Sequence, residues 1–159
     1  PGIKWPNDVI LEGRKLCGIL TELELEAETA ALRYVVVGIG VNISQTKADF
    51  GPEVAPVAIS LAQALGQAPR RAEVARALLD SLDRLYAGFP QEREGWLARY
   101  RADCLTVGKP VRVLSGAGER EGAALGVEED FSLRVAWKDG REEVLSSGEV
   151  SVRGLLGYV

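Results

Sequence analysis

The 159 residues contain no histidine, no methionine and only two cysteines, Cys17 and Cys104. Without histidine there is no Ser-His or Cys-His dyad, and two distant cysteines have no metal-ligand spacing, so a Cys/His zinc centre is excluded as well. Proton chemistry is left to carboxylates, lysines or a substrate. Both thiols read as small buried apolar groups. No apolar run approaches the roughly 20 residues that a spanning helix needs, and no signal-peptide pattern opens the chain; the cytoplasm is the expected compartment, with no membrane partner. A formal net charge of −4 argues against a surface that tracks nucleic-acid phosphates. The lack of methionine leaves no initiator residue, and a chemically rich segment already begins at residue 4. The expectation is a piece of a longer protein.

What remains is an ordinary globular composition, with 47% hydrophobic and 26% charged residues. The length fits one domain, or a partial domain followed by a small module. Val9–Leu11 reads as the end of a buried strand, and Glu12-Gly13-Arg14 as a tight turn. Leu16–Glu26 alternates Leu23 and Leu25 with Glu22, Glu24 and Glu26, which predicts a half-buried strand. The Val- and Ile-rich Arg33–Ile43 reads as a buried strand that pairs back on it. Ser44–Val57 reads as loop, and Ile59–Leu65 as a short helix stopped by Gly66. Val74, Leu78, Leu82 and Leu85 form one apolar face of a helix over Ala72–Ala87, expected to pack on the sheet. Trp96, Leu97 and Tyr100 mark a further helix ending near Cys104.

Beyond residue 107 the chain changes to short alternating runs punctuated by glycine, with Asp139-Gly140 signalling a type I′ hairpin turn. Five short strands at this spacing imply a small barrel. The expected fold class is α+β: an antiparallel or mixed sheet with packed helices over residues 1–105, then the barrel over 106–159.

Three segments carry the chemistry. Lys4-Trp5-Pro6-Asn7-Asp8 joins a stiff proline to an amide that can donate and accept together, which suits the edge of adenine. Arg14-Lys15-Leu16-Cys17-Gly18-Ile19-Leu20 places a lysine beside a bare glycine, a pairing suited to an anion held close to the backbone. Gly38-Ile39-Gly40-Val41-Asn42 lacks the third glycine of a dinucleotide fingerprint and lies within a strand, where glycine marks close backbone approach or a bulge. Singly, each has a bland reading: a capped turn with Trp5 as a core anchor, a solvated turn lysine, a bulged strand. Together they describe a site for a planar, anionic ligand.

In this order and spacing the segments resemble the KWPND, RKxxGIL and GxGxN signatures of the biotin protein ligase family. The run ending in Gly148-Glu149-Val150-Ser151-Val152-Arg153 is similar to that family's SH3-like C-terminal domain. The resemblance implies a partial class II synthetase-like catalytic domain, and a two-step reaction using biotin and ATP with Mg²⁺. Biotinyl-AMP forms first and then acylates a lysine of a biotin carboxyl carrier protein. It implies Lys15 on the biotin carboxylate and α-phosphate, with Gly18, Ile19, Gly38 and Gly40 bordering biotin. Asn7 and Asn42 would meet adenine, Trp5 would line the nucleotide side, and Arg153 would approach from the barrel. Asp8 is the candidate to orient or deprotonate the incoming lysine. The family's Gly/Arg-rich loop precedes the first signature and has no substitute here, so the chain alone is expected not to make biotinyl-AMP. The competing readings are a non-catalytic binding or regulatory module and a lipoate–protein ligase. A homodimer along the sheet edge is a further implication of the resemblance.

Overall fold

The computed structural model describes residues 1–116, 118–146 and 151–154, with Ser151, Arg153 and Gly154 as backbone only. Gly148, Glu149 and Val150 of the C-terminal signature lie outside the described residues. Four strands come first: β1 (Gly2–Lys4), β2 (Asp8–Leu11), β3 (Arg14–Leu25) and β4 (Leu32–Val41). Helices α1 (Lys47–Val54), α2 (Leu61–Leu65), α3 (Arg71–Gly88) and α4 (Arg93–Asp103) follow. The remainder is β5 (Pro110–Ser115), β6 (Gly118–Val127), β7 (Leu133–Trp137), β8 (Glu142–Leu145) and β9 (Ser151–Gly154). The strands make two antiparallel sheets, β1-β2-β3-β4 and β8-β7-β6-β5-β9. The α+β class and the five C-terminal strands agree with the sequence reading.

The core lies in the second sheet and under α4. Val111, Val113, Val135, Leu133, Trp137 and Leu145 form it with Leu97 of α4 and, from far away in sequence, Trp5. Trp5 is 1% exposed. Its backbone N–H donates to Thr106 Oγ1 at 3.0 Å and its indole N–H to the Phe131 carbonyl at 2.8 Å. One residue of the first hairpin is thus bolted into the second sheet.

The structure departs from expectation at five places, the first being β3, where Leu23 and Leu25 are 60% and 49% exposed and do not form the buried face of a half-buried strand. Part of Ser44–Val57 is helix α1, opened by a capping box between Thr46 and Asp49 and kinked at Gly51, whose φ is +72°. The Gly51-Pro52 pair disguised it as loop. Strand β4 is not buried: Val35, Val36 and Val37 are 45–51% exposed, because β4 is the sheet's edge and no described element covers it. Helix α3 likewise has no buried residue, so its apolar face does not pack on the sheet. The 138–140 turn is not type I′. Only Gly140 has positive φ, Gly140 N–H donates to the Trp137 carbonyl and Trp137 N–H to that of Arg141, which is a type I turn closed by a glycine bulge.

Candidate active site

Lys4 and Asp8 face each other across the β1–β2 pair and close the Trp5-Pro6-Asn7 turn. The turn is fastened on every side. Trp5 is held as above, and the Tyr100 hydroxyl of α4 donates to the Pro6 carbonyl at 2.9 Å. Asn7 Nδ2 donates to the Ile19 carbonyl at 2.5 Å, while Ile19 N–H donates to the Asn7 carbonyl at 3.0 Å.

The decisive local feature is a β-bulge. Asp8 pairs with Gly18 and Val9 with Cys17, but Ile10 pairs with Lys15, so Leu16 has no partner on β2. In a regular strand residues 15 and 18 point to opposite faces. The extra residue puts them on one face. A Cβ built on Gly18 would lie 2.9 Å from Lys15 Nζ and 3.4 Å from Asp8 Oδ1. Gly18 is bare because the lysine side chain crosses it. The Lys15 backbone is also fixed: its N–H donates to the Val57 carbonyl at 2.7 Å, and its carbonyl accepts from Ile59 N–H at 3.0 Å and Asn42 Nδ2 at 3.2 Å.

Lys15 Nζ sits 2.6 Å from Asp8 Oδ1, and Lys4 Nζ 3.9 Å from Asp8 Oδ2. One carboxylate therefore stands between two ammonium groups. Lys15 and Asp8 line an open cleft of about 490 Å³, together with Asn7, Gly18 and Ile19, and with Gly38, Ile39 and Gly40 of β4. A Cβ on Gly38 or Gly40 would meet only a carbonyl oxygen, at 3.6 or 3.8 Å, and neither has positive φ. Packing and backbone conformation do not require glycine there. Glycine in a strand interior weakens it, so neither packing nor strand stability accounts for the two bare positions. Beneath the cleft, burial pushes the Cys17 thiol up; the Lys15 ammonium opposes this and the Asp8 carboxylate reinforces it.

Of the residues singled out in the sequence, the structure brings Asn7, Asp8, Lys15, Gly18, Ile19, Gly38 and Gly40 to one cleft. It does not bring Trp5 there: that ring is packed in the core, which corrects its expected place on the nucleotide side. Asn42 stands behind Lys15, with Nδ2 committed to the Lys15 and Ile59 carbonyls. The Arg153 side chain lies outside the described residues, its backbone pairing with Arg112. The sequence reading missed the site roles of Tyr100, Thr106 and the Val57–Ile59 bracket, since each acts through one or two hydrogen bonds at long separation. Among the described residues no group of three His, Cys, Asp or Glu could hold a metal ion.

Residues 2–42, which include every cleft residue, match the model of the Biotin/lipoate A/B protein ligase family. Over 150 residues the chain is 37% identical to the biotin–[acetyl-CoA-carboxylase] ligase of Mycobacterium tuberculosis, covering 94% of this chain and 52% of that protein. It is 33% identical over 150 residues to the bifunctional ligase/repressor BirA of Bacillus subtilis, covering 91% and 44%. The apo structure of biotin protein ligase from Aquifex aeolicus superposes with a TM-score of 0.81 at 25% identity, covering 96% of this chain and 65% of that one. By sequence and by fold, the chain is related to the biotin protein ligases. The Aquifex aeolicus ligase in complex with biotin and ATP superposes with a TM-score of 0.78 at 28% identity, covering 96% of this chain and 62% of that one. The likeness to these ligases runs through both sheets, whereas the family match is confined to the first sheet and its cleft. The chain spans about half the length of the curated ligases it matches.

Proposed function

We propose that these residues serve the ATP-dependent attachment of biotin to a lysine of a biotin carboxyl carrier protein, through biotinyl-AMP. The observation that carries the reading is the Lys15 ammonium, laid across Gly18 over a cleft whose glycines Gly38 and Gly40 no packing demand explains. In the first step the biotin carboxylate oxygen attacks the α-phosphorus of ATP and pyrophosphate leaves with the bonding electron pair. Two anions must meet, so a fixed cation aimed at both is the natural catalyst. Lys15 fills that role, with Gly18, Ile19, Gly38 and Gly40 against biotin and Asn7 toward adenine, while Asn42 supports the Lys15 backbone from behind. Bound Mg²⁺ would neutralise phosphate charge; among the described residues no cluster of three carboxylate, thiol or imidazole groups would hold it.

In the second step the acceptor amine attacks the anhydride carbonyl carbon, the C–N bond forms, the C–O bond to phosphate breaks, and AMP leaves. A lysine with a pKa of about 10.4 is only ~0.04% neutral at pH 7, so the step gains from a carboxylate that draws the ammonium into line. Asp8 is assigned to orientation, because its two carboxylate oxygens already face ammonium groups, Lys15 at 2.6 Å and Lys4 at 3.9 Å; the proton passes to solvent. The units fit a catalytic part over residues 1–105 and an SH3-like barrel over 106–159. The exposed β4 edge fits a homodimer.

The test is biotin-dependent ATP–pyrophosphate exchange by the natural full-length protein that carries these residues, with lipoate as the competing substrate. Exchange with biotin and its loss by about a thousandfold in Lys15→Met, the scale of removing a key electrostatic donor, are expected. Exchange supported by lipoate instead, or by neither acid, would overturn the reading.

A further inference from the structure

Lys4 is a buried cation to which the proposed chemistry gives no task. Its side chain is 11% exposed and does not line the cleft, yet its ammonium lies opposite Asp8 at 3.9 Å. Lysine is almost never buried unless paired. The pairing matters most when an anion enters. Before that, Lys15 holds Asp8 Oδ1 at 2.6 Å. An anionic ligand competes with Asp8 for the same ammonium. The Asp8 side chain is only 12% exposed, and a buried carboxylate that loses its counter-ion tends to bind a proton instead.

We propose that Lys4 is the counter-ion that keeps Asp8 ionised when an anionic ligand takes Lys15, so that charge is handed over within the site and no proton is taken up. The inference rests on the adenylate-forming reading above. Among the described residues, titratable groups placed against Asp8 include Lys4 from β1 and Lys15 and Cys17 from β3. Burial keeps the thiol neutral, and a thiol carries no positive charge in any state, so Cys17 cannot replace Lys4. Lys4 is a positioning residue here: it acts on ligand and acceptor through Asp8.

The test is titration calorimetry of biotinyl-AMP binding to the natural full-length protein between pH 5.5 and 8, in buffers of different ionisation enthalpy. The wild type is expected to bind with nearly constant affinity and no net proton uptake. In Lys4→Met, binding should take up a proton and weaken about tenfold from pH 5.5 to pH 8, the direction expected when a buried carboxylate has lost both counter-ions in the complex. Lys4→Arg should restore the flat profile. Lys4→Met/Asp8→Asn should also be flat, since the group that takes up the proton is gone. Should Lys4→Met fail to fold, the polar but uncharged Lys4→Gln gives the same reading. A flat profile in the single variant, or proton uptake that persists in the double variant, overturns the counter-ion role alone. A wild-type protein that binds no biotinyl-AMP overturns the ligase reading, and this one with it.

Discussion

Gly18 separates what helps the fold from what helps the site. An alanine there has an allowed backbone conformation, and replacing a strand glycine removes about 0.5–1 kcal/mol of entropic cost. The same Cβ would stand 2.9 Å from Lys15 Nζ and 3.0 Å from its Cε, so the flexible lysine must swing away from Asp8 and the cleft. Gly18→Ala is therefore expected to hold or raise the melting temperature and to weaken biotinyl-AMP binding at least tenfold, about 1.4 kcal/mol. Thermal unfolding and titration calorimetry on one preparation check both signs. At this scale the sequence was informative: Lys15, Gly18, Gly38 and Gly40 are unusual in place and type, and all four meet in the cleft. Trp5 was legible only as a choice between core and ligand. The outcome turned on Thr106 and Phe131, more than 100 residues away in sequence.

The element that fixes the site is the Trp5-Pro6-Asn7 turn, and α4 holds it through Tyr100. Tyr100→Phe leaves the Pro6 carbonyl without that donor and is expected to cost about 1 kcal/mol, read by denaturant unfolding at neutral pH. Burial pushes the Tyr100 hydroxyl well above the usual tyrosine range, with Cys104 adding to the effect. A phenol whose folded pKa is raised gives stability that is fully present below the unfolded value near 10, and that is lost as pH climbs through it toward the folded value. Stability of the wild type should accordingly fall above about pH 10, and the phenylalanine variant should show a shallower fall. Element existence was largely readable: the 3.6-residue spacing of α3 and the alternation in β3 give both correctly. Burial was not. The apolar run of β4 and the stripe of α3 announce faces that want cover, and they are exposed among the described residues. Hydrophobic pattern states a requirement, and only the packing says whether it is met.

For the molecule as a whole, the two sheets are unequal. The second has its own core, while the first exposes Leu20, Leu23, Val35, Val36 and Val37. An exposed apolar surface of this kind marks contact with other protein or a liability to associate. The 159-residue chain on its own is expected to bind a hydrophobic dye strongly and to associate as its concentration rises. Dye fluorescence and sedimentation test the two together, and a monodisperse or dye-silent chain would contradict the expectation. Because Trp5 ties the first hairpin to the second core, any such association begins from a molecule whose site geometry is already set. The unpaired Leu16 makes that geometry a matter of parity. Straightening the strand at unchanged spacing leaves Lys15 and Gly18 an odd number of residues apart without the bulge, and an intact lysine then projects through the opposite side of the sheet. Such a change would preserve every functional group in the sequence and still abolish the site, so a variant that keeps all three segments but loses the bulge is expected to lose the chemistry while retaining its signature.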